Sequence, residues 1–307
     1  MQNFYHDIIK EICLELGIDC AFFSKDWVIE LKKDGKLKFI SGYKMDTTGH
    51  GFGTLVDDKY AMYDVLSHHN IPIIKHHILY YENNTNDYAI GLNNYAYLKD
   101  LFYQYNSNIV IKTNNGSCGL GVYHITDEET LKSLYQRLGK THRSLSVCPY
   151  YDIKNEFRSI VVDGKVELIY KKIRAEVVGD GISTISELLK KFNPFYFKDY
   201  ENDTILKKDE VFLYDWRFNL SRGAISSIDV SDSDKQILLS IAYDIVHKFQ
   251  LSFGSIDIIK TKEDEFLLME INSGVMMDNF IIQHENGRDV AKEIYKKAIK
   301  KMFHLNL

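Results

Sequence analysis

The first hydrophobic pattern in the chain is helical. Phe4, Ile8, Ile12 and Leu16 recur every four residues and predict an amphipathic helix over 4–16. Residues 18–31 and 36–43 then read as short strands joined by the turn Lys33-Asp34-Gly35. The stretch Thr47–Gly53 carries Gly49, Gly51 and Gly53 and reads as a flexible connection or a substrate loop. A helix is expected at about 58–69, and Pro72 opens an extended segment. Residues 95–105 look helical, 108–112 form a compact strand, 113–121 a glycine-rich loop, and 122–125 a further strand. Asp127, with Glu128 and Glu129 in the first turn, opens a helix over 127–138. Asp163-Gly164 centres a hairpin over 156–172. Helices follow at 184–191 and 232–249, then a second hairpin over 253–271 and a last helix at about 287–302. Strands and helices interleave with no repeated period, which predicts an α+β or α/β enzyme-like chain.

Composition narrows this only slightly. The 307 residues are 45% hydrophobic and 26% charged, ordinary globular usage with length enough for one large domain or two modest ones. A net charge of −5 removes the electrostatic footprint of a dedicated nucleic-acid binder, though not a local basic pocket. Cys13, Cys20, Cys118 and Cys148 make no C-x-x-C pair and suit the reduced thiols of a cytosolic protein. Met1–Gly17 has no apolar core of a signal peptide, and no run approaches the ~20 residues of a membrane span. The expectation is a cytoplasmic protein with neither a membrane nor a nucleic-acid partner. His68-His69 and His76-His77 are adjacent pairs, which cannot form an i, i+4 ligand pair, so packing or surface roles are expected.

Four constellations carry candidate chemistry. Lys112 ends a strand and precedes a loop with Gly116, Ser117, Gly119 and Gly121. Glycines let backbone N–H groups approach an anion and the lysine adds a point charge. The lysine precedes the glycines, so this is not a Walker A loop, and a plain glycine-rich hairpin fits the same residues. Second, Glu270 and Asn272 are two apart on a predicted strand and share a face. A four-residue loop at Lys262–Glu265 would set Asp257 opposite Glu270, whereas a slip of one residue would turn it away. Two carboxylates and an amide oxygen among apolar residues suit Mg²⁺, with an exposed polar face as the alternative. Third, a two-residue turn at Asp163-Gly164 would set Glu156 opposite Lys171, with Arg158 on the same face; a surface ion pair is the alternative. Fourth, Arg217, Asn219 and Arg222 lie near Gly223 and suit an oxyanion or acyl-phosphate site, or a solvated loop.

The order of these pieces resembles the ATP-grasp superfamily, on the branch of cyanophycin synthetase, ribosomal-protein glutamate ligase and bifunctional glutathione synthetase. Asp58-Lys59, Leu66 and Ile71-Pro72 resemble that family's opening segment. Lys112 and residues 113–121 resemble its glycine-rich lid, with Thr113 in place of the usual proline. Pro149-Tyr150-Tyr151-Asp152 through Glu156 and Arg158 resemble the hinge and ribose-binding segment. Gly179-Asp-Gly-Ile-Ser-Thr-Ile185 with Glu187-Leu188, the stretch Arg217 to Gly223, and Asp257 with Glu270-Ile-Asn272 complete six motifs in order, covering about 58–285.

The resemblance implies an ATP-grasp fold, two α+β subdomains clamping ATP. The expected division is a short leading domain at 1–57 and an ATP-grasp domain at 58–307. Within the latter, a lid-bearing subdomain spans about 95–150, a hinge about 147–156, and a metal-binding subdomain about 156–307. Lys59 and Lys112 would contact phosphates, with Lys171 near the transferring group. Residues Pro149–Asp152 would meet adenine and Glu156 the ribose. Asp257, Glu270 and Asn272 would hold Mg²⁺, or Mn²⁺ in its place. Arg174, Arg217 and Arg222, assisted by Asn219, would steady the phosphoryl group or a substrate carboxylate. The implied activity is an ATP-dependent ligase that joins a small-molecule or peptide carboxylate to an amine through an acyl phosphate. A homodimer or a carrier-peptide partner is compatible with it. The alternatives are an ATP-grasp phosphotransferase and a non-catalytic nucleotide-binding module.

Overall fold

The predicted leading helix forms as α1 (Phe4–Leu16), and its buried residues Tyr5, Ile8, Ile9, Ile12 and Cys13 trace the apolar stripe. A computed structural model describes residues 4–81, 86–116 and 121–306. The following elements are β1 (Asp19–Phe23), β2 (Val28–Lys33), β3 (Lys36–Ser41), β4 (Lys44–Met45), α2 (His50–Leu55), α3 (Lys59–His68) and β5 (His77–Tyr80). Then come α4 (Tyr95–Gln104), β6 (Ile109–Thr113), β7 (Val122–Ile125), α5 (Glu128–Leu138), β8 (Ser144–Pro149), β9 (Ile153–Val162) and β10 (Lys165–Ile173). The chain continues through β11 (Glu176–Val178), α6 (Ile185–Phe192), β12 (Val211–Leu213), β13 (Ile225–Ser227) and α7 (Asp232–Phe249). It ends with β14 (Phe253–Thr261), β15 (Phe266–Asn272), α8 (Asp278–Gln283) and α9 (Gly287–Met302).

Two differences from the sequence reading are local. The single strand expected over 18–31 is a hairpin, β1 against β2, turning through Ser24, Lys25 and Asp26. All three have φ between 54° and 66°, a left-handed run that no glycine announces. The expected flexible loop at 47–53 instead winds into α2 from His50.

The contacts divide the chain into two units. The first comprises residues 1–52, 155–258 and 271–307. Residues 1–52 count with this unit. Ile8, Ile12, Ile29, Leu31 and Ile40 share one buried cluster with Tyr170, Phe253, Ile294, Tyr295 and Ile299. A stretch of about fifty residues buries too little surface to stand alone easily, and here it completes a larger core. This unit holds the sheet β1-β2-β3-β4, the small pair β11-β12, and most of the sheet β13-β10-β9-β14-β15. The far ends of β14 and β15, with their turn, count with the second unit.

The second unit comprises residues 53–154 and 259–270. Its sheet has the order β5-β8-β6-β7, all antiparallel. Leu98, Leu101 and Phe102 of α4, and Leu131, Leu134 and Leu138 of α5, pack on Ile109, Ile111, Leu145 and Val147. The other face of that sheet carries Lys112 and Ser146 among the buried Ile78, Val110 and Cys148.

Candidate functional site

In the first unit the chemistry centres on β9 and β10. A β-bulge between Val166 and Leu168 shifts their register by one residue. Glu156 is consequently opposite Lys172, and Lys171 faces Phe157. The expected partner of Glu156 is thus corrected from Lys171 to Lys172, because one extra residue reverses which side chains share a face. Lys172 Nζ donates to Glu156 Oε1 at 2.5 Å and to Asp257 Oδ2 at 3.1 Å. Arg158 donates through Nε and Nη2 to the two oxygens of Asp257, at 2.7 and 2.6 Å. Glu156, Lys172 and Asp257 are all buried. Burial pushes the Glu156 carboxyl up, against the pull of Lys172. Burial opposes ionisation of Asp257 too, but Arg158 and Lys172 outweigh it and hold that carboxyl down at about 2.

The same unit contains the arginine loop. Asp215 accepts from Arg217 through its backbone N at 3.0 Å, Nε at 2.8 Å and Nη2 at 2.8 Å, and from Arg222 Nη1 at 3.3 Å. The two expected arginines are thus gathered by one buried carboxylate, which the sequence reading did not single out. Asn219 accepts from Ser221 N at 2.8 Å through Oδ1 and caps the short turn Leu220–Arg222. Arg174 pairs with Glu176 through Nη2 at 2.7 Å, its guanidinium 5.6 Å from the Phe218 ring centre.

In the second unit two lysines converge on the glycine-rich loop. Asp58 caps α3, its Oδ1 accepting from Ala61 N at 2.8 Å. Asn114 accepts from Lys59 N through its carbonyl and from Tyr60 N through Oδ1. The first-turn N–H groups of α3 are therefore satisfied by protein, and it is the Lys59 side chain that is offered to the loop. Lys59 Nζ donates to Gly116 C=O at 2.5 Å. Burial pulls the Lys59 ammonium pKa down and Lys112 adds to that, while Glu270 acts in the opposite direction. Thr113 closes the loop's neck: Thr113 N donates to Gly121 C=O and Gly116 N to Thr113 C=O. A Cβ at Gly116 would lie 1.8 Å from Thr113 Oγ1, and one at Gly121 would lie 2.8 Å from Thr113 Cγ2. These glycines are demanded by close packing on Thr113, and Gly121 also has φ +66°. Ser117, Cys118 and Gly119 lie outside the described residues.

The expected hinge residues are also in this unit. Pro149 ends β8 opposite Ile109. Tyr150 stacks on His124 with centroids 4.1 Å apart, and Tyr151 Oη accepts from Lys75 N at 3.1 Å. Asp152 pairs with Lys262 at 2.6 Å. The β14–β15 connection is the four residues expected, 262–265; Thr261 N donates to Glu265 C=O across it, and Asp264 has φ 62°.

The expected metal donors fit Mg²⁺ in kind, being carboxylate and amide oxygens. Glu270 and Asn272 are half-buried on β15. Asp257, in contrast, gives both oxygens to protein cations. Among the described residues, no three His, Cys, Asp or Glu side chains converge as a metal cluster. Two of the three donors thus suit a hard cation as they stand, and the third is committed to Arg158 and Lys172. No helix among the described residues is long and apolar enough to cross a membrane.

The chain has relatives among known proteins. The RimK-like ATP-grasp domain matches residues 56–178 and 212–298. The chain belongs to that family. It is similar to cyanophycin synthetase of Trichormus variabilis, 27% identical over 205 residues, covering 66% of this chain and 21% of that protein. It is also similar to the bifunctional glutathione biosynthesis protein of Listeria monocytogenes, 23% identical over 279 residues, covering 81% of this chain and 34% of that one. The chain thus spans about a fifth to a third of the length of these relatives. Among solved structures, the bifunctional glutathione synthetase of Pasteurella multocida superposes with a TM-score of 0.53 at 16% identity, over 94% of this chain and 43% of its own. D-alanine–D-alanine ligase of Bacillus anthracis gives 0.53 at 14% identity, over 81% and 67%. The expected ATP-grasp fold is borne out.

Proposed function

We propose that the protein is an ATP-dependent carboxylate–amine ligase. The reading rests above all on one observation: Lys59 and the glycine loop meet at Gly116 in a chain of the RimK-like ATP-grasp family. Lys59 and Lys112 neutralise phosphate oxygens. Residues 149–152 line the adenine and Glu156 the ribose, and Lys172 holds Glu156 in place. Arg217 and Arg222, gathered by Asp215, receive the substrate carboxylate. That carboxylate attacks the γ-phosphorus, the bond to the β,γ-bridging oxygen breaks, and ADP leaves an acyl phosphate. An amine then attacks the acyl carbon, loses a proton and displaces inorganic phosphate, leaving an amide. Glu270 and Asn272 are the residues that hold Mg²⁺, whose charge offsets that building on the phosphate oxygens.

Purified protein given ATP, Mg²⁺ and a panel of amino acids or short peptides should release ADP and phosphate and yield a product with the mass of an amide. Glu270→Ala should lower turnover at least about tenfold. Full turnover in that variant sinks the metal assignment, and a stable phosphate ester as product sinks the ligase reading.

A further inference from the structure

Among the buried titratable groups that the mechanism above leaves unused is a histidine beside the two lysines. His76 lies just before β5 and is 1% exposed. Its Nδ1 is 2.5 Å from Ser146 Oγ. Ser146 is itself buried, and it stands directly between two strands: it pairs with Ile78 of β5 and with Lys112 of β6. Residues directly opposite in an antiparallel pair point their side chains to the same face. Ser146 and Lys112 therefore share a face, and His76, two residues before Ile78, reaches Ser146 on it. The other ring nitrogen, Nε2, is buried with no hydrogen-bond partner among the described residues. An orphaned polar atom at this depth normally costs about 1–3 kcal/mol, so its presence beside the lysine pair calls for a use.

We infer that His76 is a positioning residue for the phosphate-binding lysines, a neutral imidazole that donates from Nδ1 to Ser146 and keeps the Nε2 lone pair as an acceptor for an ammonium. The inference rests on the reading of Lys59 and Lys112 as phosphate contacts. Three features support it. Burial first, then Lys112 and Lys59, drive the His76 pKa well below its ordinary value, so the ring stays neutral and adds no third positive charge. A ring beside two cations is lower in energy with a lone pair towards them than with an N–H. Ser146 can accept from Nδ1–H, which fixes that tautomer. An acceptor here restrains a long, flexible lysine without neutralising it, which a carboxylate at the same place would do.

The test is isothermal titration with ADP and Mg²⁺, with melting temperatures taken on the same samples. His76→Phe keeps a ring and removes the acceptor; His76→Gln keeps an acceptor near the Nε2 position. His76→Phe should weaken ADP binding about tenfold, about 1.4 kcal/mol, the scale of one hydrogen bond to a charged group. His76→Gln should stay within about threefold of wild type, at a similar melting temperature. Unchanged binding in His76→Phe overturns the inference, as does equal loss in both variants. If His76→Phe does not fold, the ¹⁵N spectrum of the wild-type ring decides: an unprotonated Nε2 at neutral pH supports the assignment, and an Nε2–H tautomer overturns it. A wild-type chain that binds no ADP overturns the nucleotide reading itself, and the role of His76 with it.

Discussion

Asp257 shows how much one side chain depends on its neighbours. Its two oxygens take three charge-assisted hydrogen bonds from Arg158 and Lys172. Removing it leaves Arg158 without this acceptor and Lys172 with Glu156 alone, and breaking a buried pair costs about 3–5 kcal/mol. Asp257→Asn should lose stability on that scale in urea denaturation, and a loss under 1 kcal/mol would mean that the network relaxes freely. The pH dependence follows from the direction of the shift. The folded-state pKa, about 2, lies below the ordinary value of 3.8, so the contribution is complete above pH ~4 and fades as pH falls towards 2. Asp257→Asn should flatten that part of the stability curve. Glu156 acts in the opposite sense: its folded pKa is raised, so its contribution favours acid and is lost as pH rises through that pKa.

Elements show which signals a sequence carries. Helices with a cap and an apolar stripe are legible: Asp58, Asp127 and Thr184 all cap as N-terminal residues should, Thr184 in a full capping box with Glu187. Three features are not. The bulge after Val166 adds a residue without any glycine or proline to mark it, so a register counted from Asp163-Gly164 is one residue out by Lys172. The turn at Ser24–Asp26 uses left-handed residues that are neither glycine nor asparagine. His76 acquires its role only when β8 comes up beside β5, whereas Asp215, two residues before Arg217, belongs to none of the motifs that mark the family. The motifs, by contrast, lie on contiguous stretches, so the family could be read directly. Packing also separates what matters in α1. Ile12 is fully buried in the large core, whereas Glu11 and Glu15 pair with Arg288, Lys292 and Lys296 at the surface. Ile12→Ala should cost about 2–5 kcal/mol in chemical denaturation, and Glu15→Gln far less. A reversed order would mean that ion pairs, not burial, hold α1.

Each unit has a core of its own among the described residues, one around Tyr5, Tyr170 and Tyr295 and one around Leu98, Ile109 and Leu131. Calorimetry should therefore depart from a single two-state transition, with a calorimetric enthalpy above the van't Hoff value. ADP at about a hundred times its Kd should add about 2.7 kcal/mol to the unit carrying Lys59 and Lys112 and raise its transition by several degrees. A transition unmoved by ADP would count against a nucleotide site there. The net charge of −5 conceals this division of labour, with lysines gathered at one loop and carboxylates spread over the strands.

Thr113 has a consequence for how this protein can change over time. Gly116 and Gly121 press on the same threonine side chain, from two sides of one neck. The three positions therefore form a single steric unit. A larger residue at 116 becomes admissible only after 113 has shrunk, one at 121 stays disfavoured by its left-handed backbone as well, and a bulkier 113 is barred while the neck keeps its shape. Mutational routes through this loop are ordered: the threonine has to yield first.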